Sequence, residues 1–312
     1  MKYLNFINEQ IRSTIEKNDN LVLFGQNISA GSCLGGLTKN LKVNGNSKII
    51  NSTNSENSLC GFGFGMMMNN VSSVFFMKQL DFLLLGIDHL VNTYNIIRSV
   101  KKYLKSSFTI MPIIVDNGFQ GPQSSFNNFG DICSIARIQG YAISTKFEAK
   151  EIISKKLFSP GFRIIGLSQR LFKEEIMDLE PVYSNDNLSL IQYKQGKDVT
   201  IVCFNFSLKH GLELSEECEK EEISSSLFNV TSVTPINWDK ILLDAKKTNN
   251  LVIIDDSKSE NLSCDNLASY IAQNDVINTT IVKKVIDENW LGANSDQMEI
   301  DMANIIKKIR KK

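Results

Sequence analysis

Charge of either sign is not in excess in this 312-residue chain: Lys and Arg total 34 and Asp and Glu total 34. A zero formal balance with pI near 6.7 argues against holding nucleic acid or an anionic membrane through bulk positive charge, because such binding neutralises many phosphates together. Only the tail from Lys307 to Lys312 is locally basic. Histidine is scarce, with His89 and His210 alone, and the six cysteines include no Cys-x-x-Cys pair. Neither a disulfide framework nor a structural zinc site fits that spacing, so Cys33, Cys60, Cys133, Cys203, Cys218 and Cys264 read as small apolar fillers in a reduced compartment. Long hydrophobic runs are also missing. The stretch Phe82 to Leu85, even carried on through Gly86 and Ile87, is far short of a membrane span, and Met1-Lys2-Tyr3 leads into a polar periodic stretch rather than a signal-peptide core. The chain reads as soluble and cytoplasmic, with neither nucleic acid nor membrane as a partner.

What is present is alternation. Apolar Leu4, Ile7, Ile11 and Ile15 recur at helical spacing before the strand-like Leu21-Val22-Leu23-Phe24. Strand patterns at Val71 to Met77 and Thr109 to Val115 bracket a helical pattern from Leu80 to Tyr94, and a helix is expected from Phe147 to Leu157 between short strands at Gly140 to Ile143 and Arg163 to Leu167. After Leu188 to Tyr193 the alternation restarts at Val199 to Phe204. It runs through strands near 227–233, 251–254 and 279–285 and helices near 208–218, 238–246, 265–273 and 297–311. Strands alternating with helices of this length predict an α/β chain of two doubly wound domains, 1–187 and 188–312, each a mostly parallel sheet covered on both faces. Composition alone makes the Asn/Ser-rich segment 44–58 a flexible loop.

That segment also carries the chemistry. Asn54-Ser55-Glu56-Asn57-Ser58, then Gly61-Phe62-Gly63-Phe64-Gly65, Phe75-Phe76-Met77, Asp81-Phe82 and Ile87-Asp88-His89-Leu90-Val91-Asn92 lie in one ungapped frame. The frame resembles the transketolase-like, pyrimidine-binding (beta) subunits of thiamine-diphosphate enzymes, specifically the beta subunit of the decarboxylating component of 2-oxo acid (pyruvate) dehydrogenase complexes. Gly121-Pro122-Gln123-Ser124-Ser125, Ser144-Thr145 with Glu148-Ala149-Lys150, Gly196 to Thr200 and Asn249 to Asp255 follow in that family's order. The resemblance is strongest in the first third and weak after about Ser257. It implies a pyrimidine-binding domain followed by a transketolase C-terminal-like domain.

By the same resemblance Glu56 is the catalytic, cofactor-binding carboxyl. Placed beside the aminopyrimidine ring, a protonated acid stabilises the imino tautomer, which removes the thiazolium proton. A Glu that merely caps a helix near Ser58 is the structural alternative. Phe82, 26 residues on, stands where the family presents a ring to stack on the pyrimidine, although strand-to-helix turns often bury aromatics as plain core. Lys78 is a cofactor-binding candidate that could meet an anionic group, with a solvated lysine as its alternative. Gln123 and Ser124 are the substrate-facing candidates. The glycines Gly61, Gly63 and Gly65 permit close helix or cofactor approach and do not form a dinucleotide fingerprint.

The family's divalent-metal motif, Gly-Asp-Gly with a later Asn, does not occur, so the resemblance implies no metal ligands here. Mg2+ would be held by an alpha partner in an α2β2 assembly, and the beta chain alone would be inactive. Three departures stand out. Ser124 replaces a histidine, which removes the side chain that titrates near neutral pH. His89 replaces a glutamine and reads as a satisfied helix residue. Gln26-Asn27 replaces the acidic pair after the first strand. The tail from Asp287 also departs, which puts docking on a lipoyl-carrying core in question. The expected function is a beta-type half-enzyme that decarboxylates a 2-oxo acid and passes the two-carbon unit to an acceptor, with a sugar as one candidate. A split transketolase-like ketol transferase is the alternative, and a catalytically silent scaffold is the alternative from another class.

Overall fold

The computed structural model describes residues 1–101, 103–116, 121, 127–234, 236–284 and 298–310. The helical spacing near the start folds as α1 (Tyr3–Ile15), which buries Phe6, Ile7, Ile11 and Ile15 along one face. Six strands follow in one parallel sheet: β1 (Leu21–Gly25), β2 (Lys48–Asn51), β3 (Ser72–Met77), β4 (Ser107–Ile114), β5 (Gly140–Ala142) and β6 (Gly161–Ser168), in spatial order β2-β1-β3-β4-β6-β5. Helices α2 (Glu56–Met68), α3 (Tyr94–Val100), α4 (Phe129–Ala136) and α5 (Lys146–Lys156) cross between them. Every residue of β4 is buried, the pattern of a central parallel strand covered on both faces.

The second sheet takes β7 (Tyr183–Ser184), β8 (Leu190–Lys194), β9 (Val199–Phe204), β10 (Ser225–Val230), β11 (Asn250–Asp255) and β12 (Asn278–Lys283), in order β12-β11-β9-β10-β8-β7. Strands β9 to β12 are parallel, and β7 and β8 form an antiparallel edge. Helices α6 (Leu208–Lys220), α7 (Asp239–Thr248), α8 (Asp265–Asn274) and α9 (Met302–Arg310) cover this sheet. Two mainly parallel α/β sheets are therefore present, as the alternation predicts. Strand β7 begins the second sheet at Tyr183.

Three local expectations differ. Within the segment expected to be a loop, Lys48–Asn51 pairs in register with β1, from Val22 opposite Lys48 to Gly25 opposite Asn51. Ile49 and Ile50 are β-branched residues that suit a strand, and the tertiary pairing overrides the polar composition around them. Leu80 to Tyr94 is not one α-helix: Leu80–Gly86 is a 3-10 segment, His89–Thr93 a π-turn, and only then does α3 begin. This stretch is drawn tightly onto α2, since a Cβ on Gly86 would lie 2.7 Å from Cys60 Sγ and 3.2 Å from the Glu56 carbonyl. Helix α4 was not expected, and the last helix begins at Met302 rather than Gln297, which lies outside the described residues.

Buried polar contacts join the two sheets. Glu148 at the start of α5 accepts from Tyr193 Oη at 2.7 Å and from Asn229 Nδ2 at 2.7 Å. Arg170 pairs with Asp256 at 2.7 Å, and Asn127 Nδ2 donates to Asp256 Oδ1 at 3.1 Å.

Candidate active site

The carboxyl ends of the strands are where open α/β sheets bind ligands, because the loops there and the helix N-termini converge. Here the ends of β1, β2 and β3 bring Gly25, Asn51 and Met77 to one edge. Gly25 is required at its position: its φ is +149°, and a Cβ there would lie 2.1 Å from the Phe76 carbonyl oxygen. Ser52 N donates to the Gly25 carbonyl at 2.9 Å, which ties the loop after β2 to the end of β1. The next residue, Gln26, is thereby delivered to the start of α2.

Glu56 is the first residue of α2 and is only 7% exposed. Its Oε1 accepts from Gln26 Nε2 at 3.3 Å, and Oε2 has no hydrogen-bond partner among the described residues. The carboxylate is thus largely taken from water yet keeps one acceptor uncommitted. Ser55, at the N-cap position, makes no side-chain bond to the backbone and instead donates to Ser58 Oγ at 2.9 Å. Glu56 likewise makes no capping bond, so the helix-cap alternative does not explain it.

Phe82 lies half-buried in the 3-10 segment whose end, Gly86, touches the Glu56 backbone. Lys78 follows β3 directly and is exposed. Gln123 and Ser124 lie outside the described residues. His89 is a satisfied helix residue: its Nδ1 and Thr93 Oγ1 are 2.9 Å apart, and a Cβ on Gly61 would lie 3.2 Å from His89 Nε2. Close approach at Gly63 is tighter, where a Cβ would lie 2.2 Å from the Phe108 ring, whereas at Gly65 it would meet nothing within 4 Å. Gly63 therefore seats α2, with Glu56 at its tip, against β4.

The buried Phe64, Phe108 and Phe162 rings pack behind this helix, with Phe64 edge-on to Phe108 at 5.0 Å. They make a rigid support for the site rather than part of it. Burial pushes the Cys60 thiol, one turn along α2, up to about 12, with the nearby Glu56 carboxylate adding to the rise. A thiol held in that state is a packing group and not a nucleophile. No group of three or more His, Cys, Asp or Glu side chains suited to a metal ion occurs among the described residues.

One link was not legible in the sequence. Gln26 stood out there only as a departure, and nothing in the local pattern announced that the chain reversal between β1 and α2 would put its amide on Glu56.

Similarities to known proteins bear on the fold. Residues 190–283 match the transketolase C-terminal domain family. The chain is 24% identical over 262 residues to the mitochondrial pyruvate dehydrogenase E1 component subunit beta of Dictyostelium discoideum, covering 80% of this chain and 72% of that protein. It is 21% identical over 272 residues to the pyruvate dehydrogenase E1 component subunit beta of Staphylococcus epidermidis, covering 83% and 81%. Among solved structures, a split-gene transketolase described as an inactive beta4 tetramer superposes with a TM-score of 0.66 at 15% identity, over 98% of this chain and 96% of that one. A transketolase from Campylobacter jejuni gives 0.68 at 10% identity, over 98% of this chain but 44% of that one. The fold is transketolase-like, and the resemblance to thiamine-diphosphate-enzyme beta subunits holds over most of the chain.

Proposed function

We propose that this chain is the pyrimidine-binding half of a two-subunit thiamine-diphosphate enzyme that decarboxylates a 2-oxo acid and transfers the two-carbon unit to an acceptor, with its second domain opening at β7 (Tyr183–Ser184) rather than at 188. The observation that carries the reading is Glu56: a buried carboxylate at a helix start, bonded once and open at Oε2, on the edge of the sheet where ligands bind. The aminopyrimidine ring fits that arrangement, because it requires one carboxyl partner in a largely dry setting and a flat apolar surface beside it. When bound, thiamine diphosphate supplies the electron sink on which a 2-oxo acid loses carbon dioxide.

The chain's own residues hold and aim it. With the cofactor bound, Glu56 would hold the relay proton, Phe82 would offer the stacking face, and Lys78 would supply a nearby positive charge. Gln123 and Ser124 are assigned to the substrate in this reading, and at Ser124 water or another group would serve in place of an imidazole. No divalent-metal motif exists in this sequence, so Mg2+ and the diphosphate belong to an alpha partner, in an α2β2 assembly inactive without it. The neighbouring fold described as an inactive beta4 tetramer supports that dependence. The cysteines are all free, five of them buried, which suits a reducing cytoplasm; no helix of the described residues is long and apolar enough to cross a membrane.

A second reading, a split ketol transferase acting on sugars, is favoured by that same split transketolase neighbour, which aligns with nearly all of this chain. Native mass spectrometry of the tagged chain purified from its host, followed by assays of 2-oxo acids and ketose phosphates, separates the two. A co-purifying chain that carries Gly-Asp-Gly, with carbon dioxide released from a 2-oxo acid, supports the first reading. Turnover of ketose phosphates alone supports the second. A bare homo-oligomer that binds no cofactor points to the silent scaffold.

A further inference from the structure

We infer that Gln26 sets which oxygen of Glu56 carries the relayed proton. The inference rests on the reading of Glu56 above and deepens it. A protonated carboxyl has a single O–H, and an oxygen that already receives a donor cannot aim its own proton along the same line. Gln26 Nε2 donates to Oε1 at 3.3 Å, so the exchangeable proton belongs on Oε2, the oxygen without a partner among the described residues. The amide is uncharged at any pH, so its donor persists whether Glu56 is protonated or not. A carboxylate in the same place could donate only while itself protonated.

The backbone fixes this donor. Gly25 admits no side chain because the Phe76 carbonyl fills the space, and its own carbonyl accepts from Ser52 N at 2.9 Å. Gln26 is therefore held from two sides, by the end of β3 and by the loop after β2, and its reach to α2 is set by the main chain. Gln26 is half-buried, so its amide is partly withdrawn from water and competes for Glu56 on favourable terms. It acts through Glu56 and touches no reacting atom in this scheme, which makes it a positioning residue.

The test uses the complex purified from its host and loaded with thiamine diphosphate. Deuterium exchange at the thiazolium C2 position and the calorimetric Kd for the cofactor are measured for the wild-type protein and for Gln26→Met, which keeps the length and removes the donor. In the nitrogen-15-labelled chain, the side-chain amide signal that disappears in Gln26→Met is then followed in Glu56→Ala. Exchange slowed about tenfold in Gln26→Met, with Kd changed by less than about twofold and the Gln26 amide signal moved by Glu56→Ala, is the expected result. Exchange unchanged in Gln26→Met overturns the assignment, and so does an amide signal indifferent to Glu56→Ala. Equal losses of exchange and cofactor affinity reduce Gln26 to packing and also overturn it. An absence of exchange in the wild-type complex instead overturns the underlying reading of Glu56.

Discussion

Two helices of the first sheet, α2 and α5, each carry a buried glutamate in the first turn after a serine or threonine N-cap, and the two carboxylates are treated in opposite ways. At α5, Glu148 closes a capping box with Thr145 and accepts from Ser144 N at 2.6 Å, Thr145 N at 3.2 Å, Tyr193 Oη at 2.7 Å and Asn229 Nδ2 at 2.7 Å. Burial pushes its carboxyl above the ordinary range while those four donors pull it back. At α2, Glu56 caps nothing and takes one bond. A carboxylate with every lone pair engaged by two domains is a structural pin. One that is buried with an oxygen left open can still exchange a proton. The two differ in what they have left to offer, and burial alone does not separate them, at 0% and 7% exposure.

The contrast can be broken at either end. Glu56→Ala should lower turnover of the reconstituted pair by about 100- to 10,000-fold in a carbon dioxide release assay while costing under about 1 kcal/mol of folding stability. Glu148→Ala should do the reverse. It strands two backbone N–H groups and the Asn229 amide in a buried interface and leaves the Tyr193 hydroxyl with Thr145 Oγ1 alone, a loss of about 3–5 kcal/mol that calorimetry would show as a fall in Tm of about 10 °C. Gly63→Ala tests how α2 is seated: a methyl 2.2 Å from the Phe108 ring must displace a buried aromatic, at about 1–3 kcal/mol in urea unfolding. Gly65→Ala, two residues on and facing open space, should stabilise by about 0.5–1 kcal/mol in the same measurement through helix propensity alone.

The same two helices show what sequence can and cannot disclose. Period and spacing were enough to predict both sheets' alternation, because parallel strands covered on both faces are mostly apolar, as in Ser107–Ile114, which is buried at every position. The capping box at Thr145 and Glu148 is local, three residues apart, and the motif order already marked those residues. The short strand β2 was hidden because its four residues are held by pairing with β1, while Asn and Ser on both sides argue for a loop. The break of Leu80–Tyr94 into 3-10, π and α pieces depends on how close Gly86 comes to Cys60, a distance no local pattern encodes. Glu56 and Phe82 were named from the frame of motifs, and the structure brings their segments together. Gln26 reaches Glu56 across 30 residues through a reversal of the chain, and a contact of that kind is written in tertiary packing.

Deuterium exchange at C2 of thiamine diphosphate, measured in the purified complex with wild-type and Glu56→Ala chains loaded equally with cofactor, tests the central claim most directly. A drop of about 100-fold or more in the variant, with the complex intact by native mass spectrometry, is the predicted result. Equal exchange in both would contradict the assignment of Glu56 as the proton relay and leave it as a second structural pin beside Glu148.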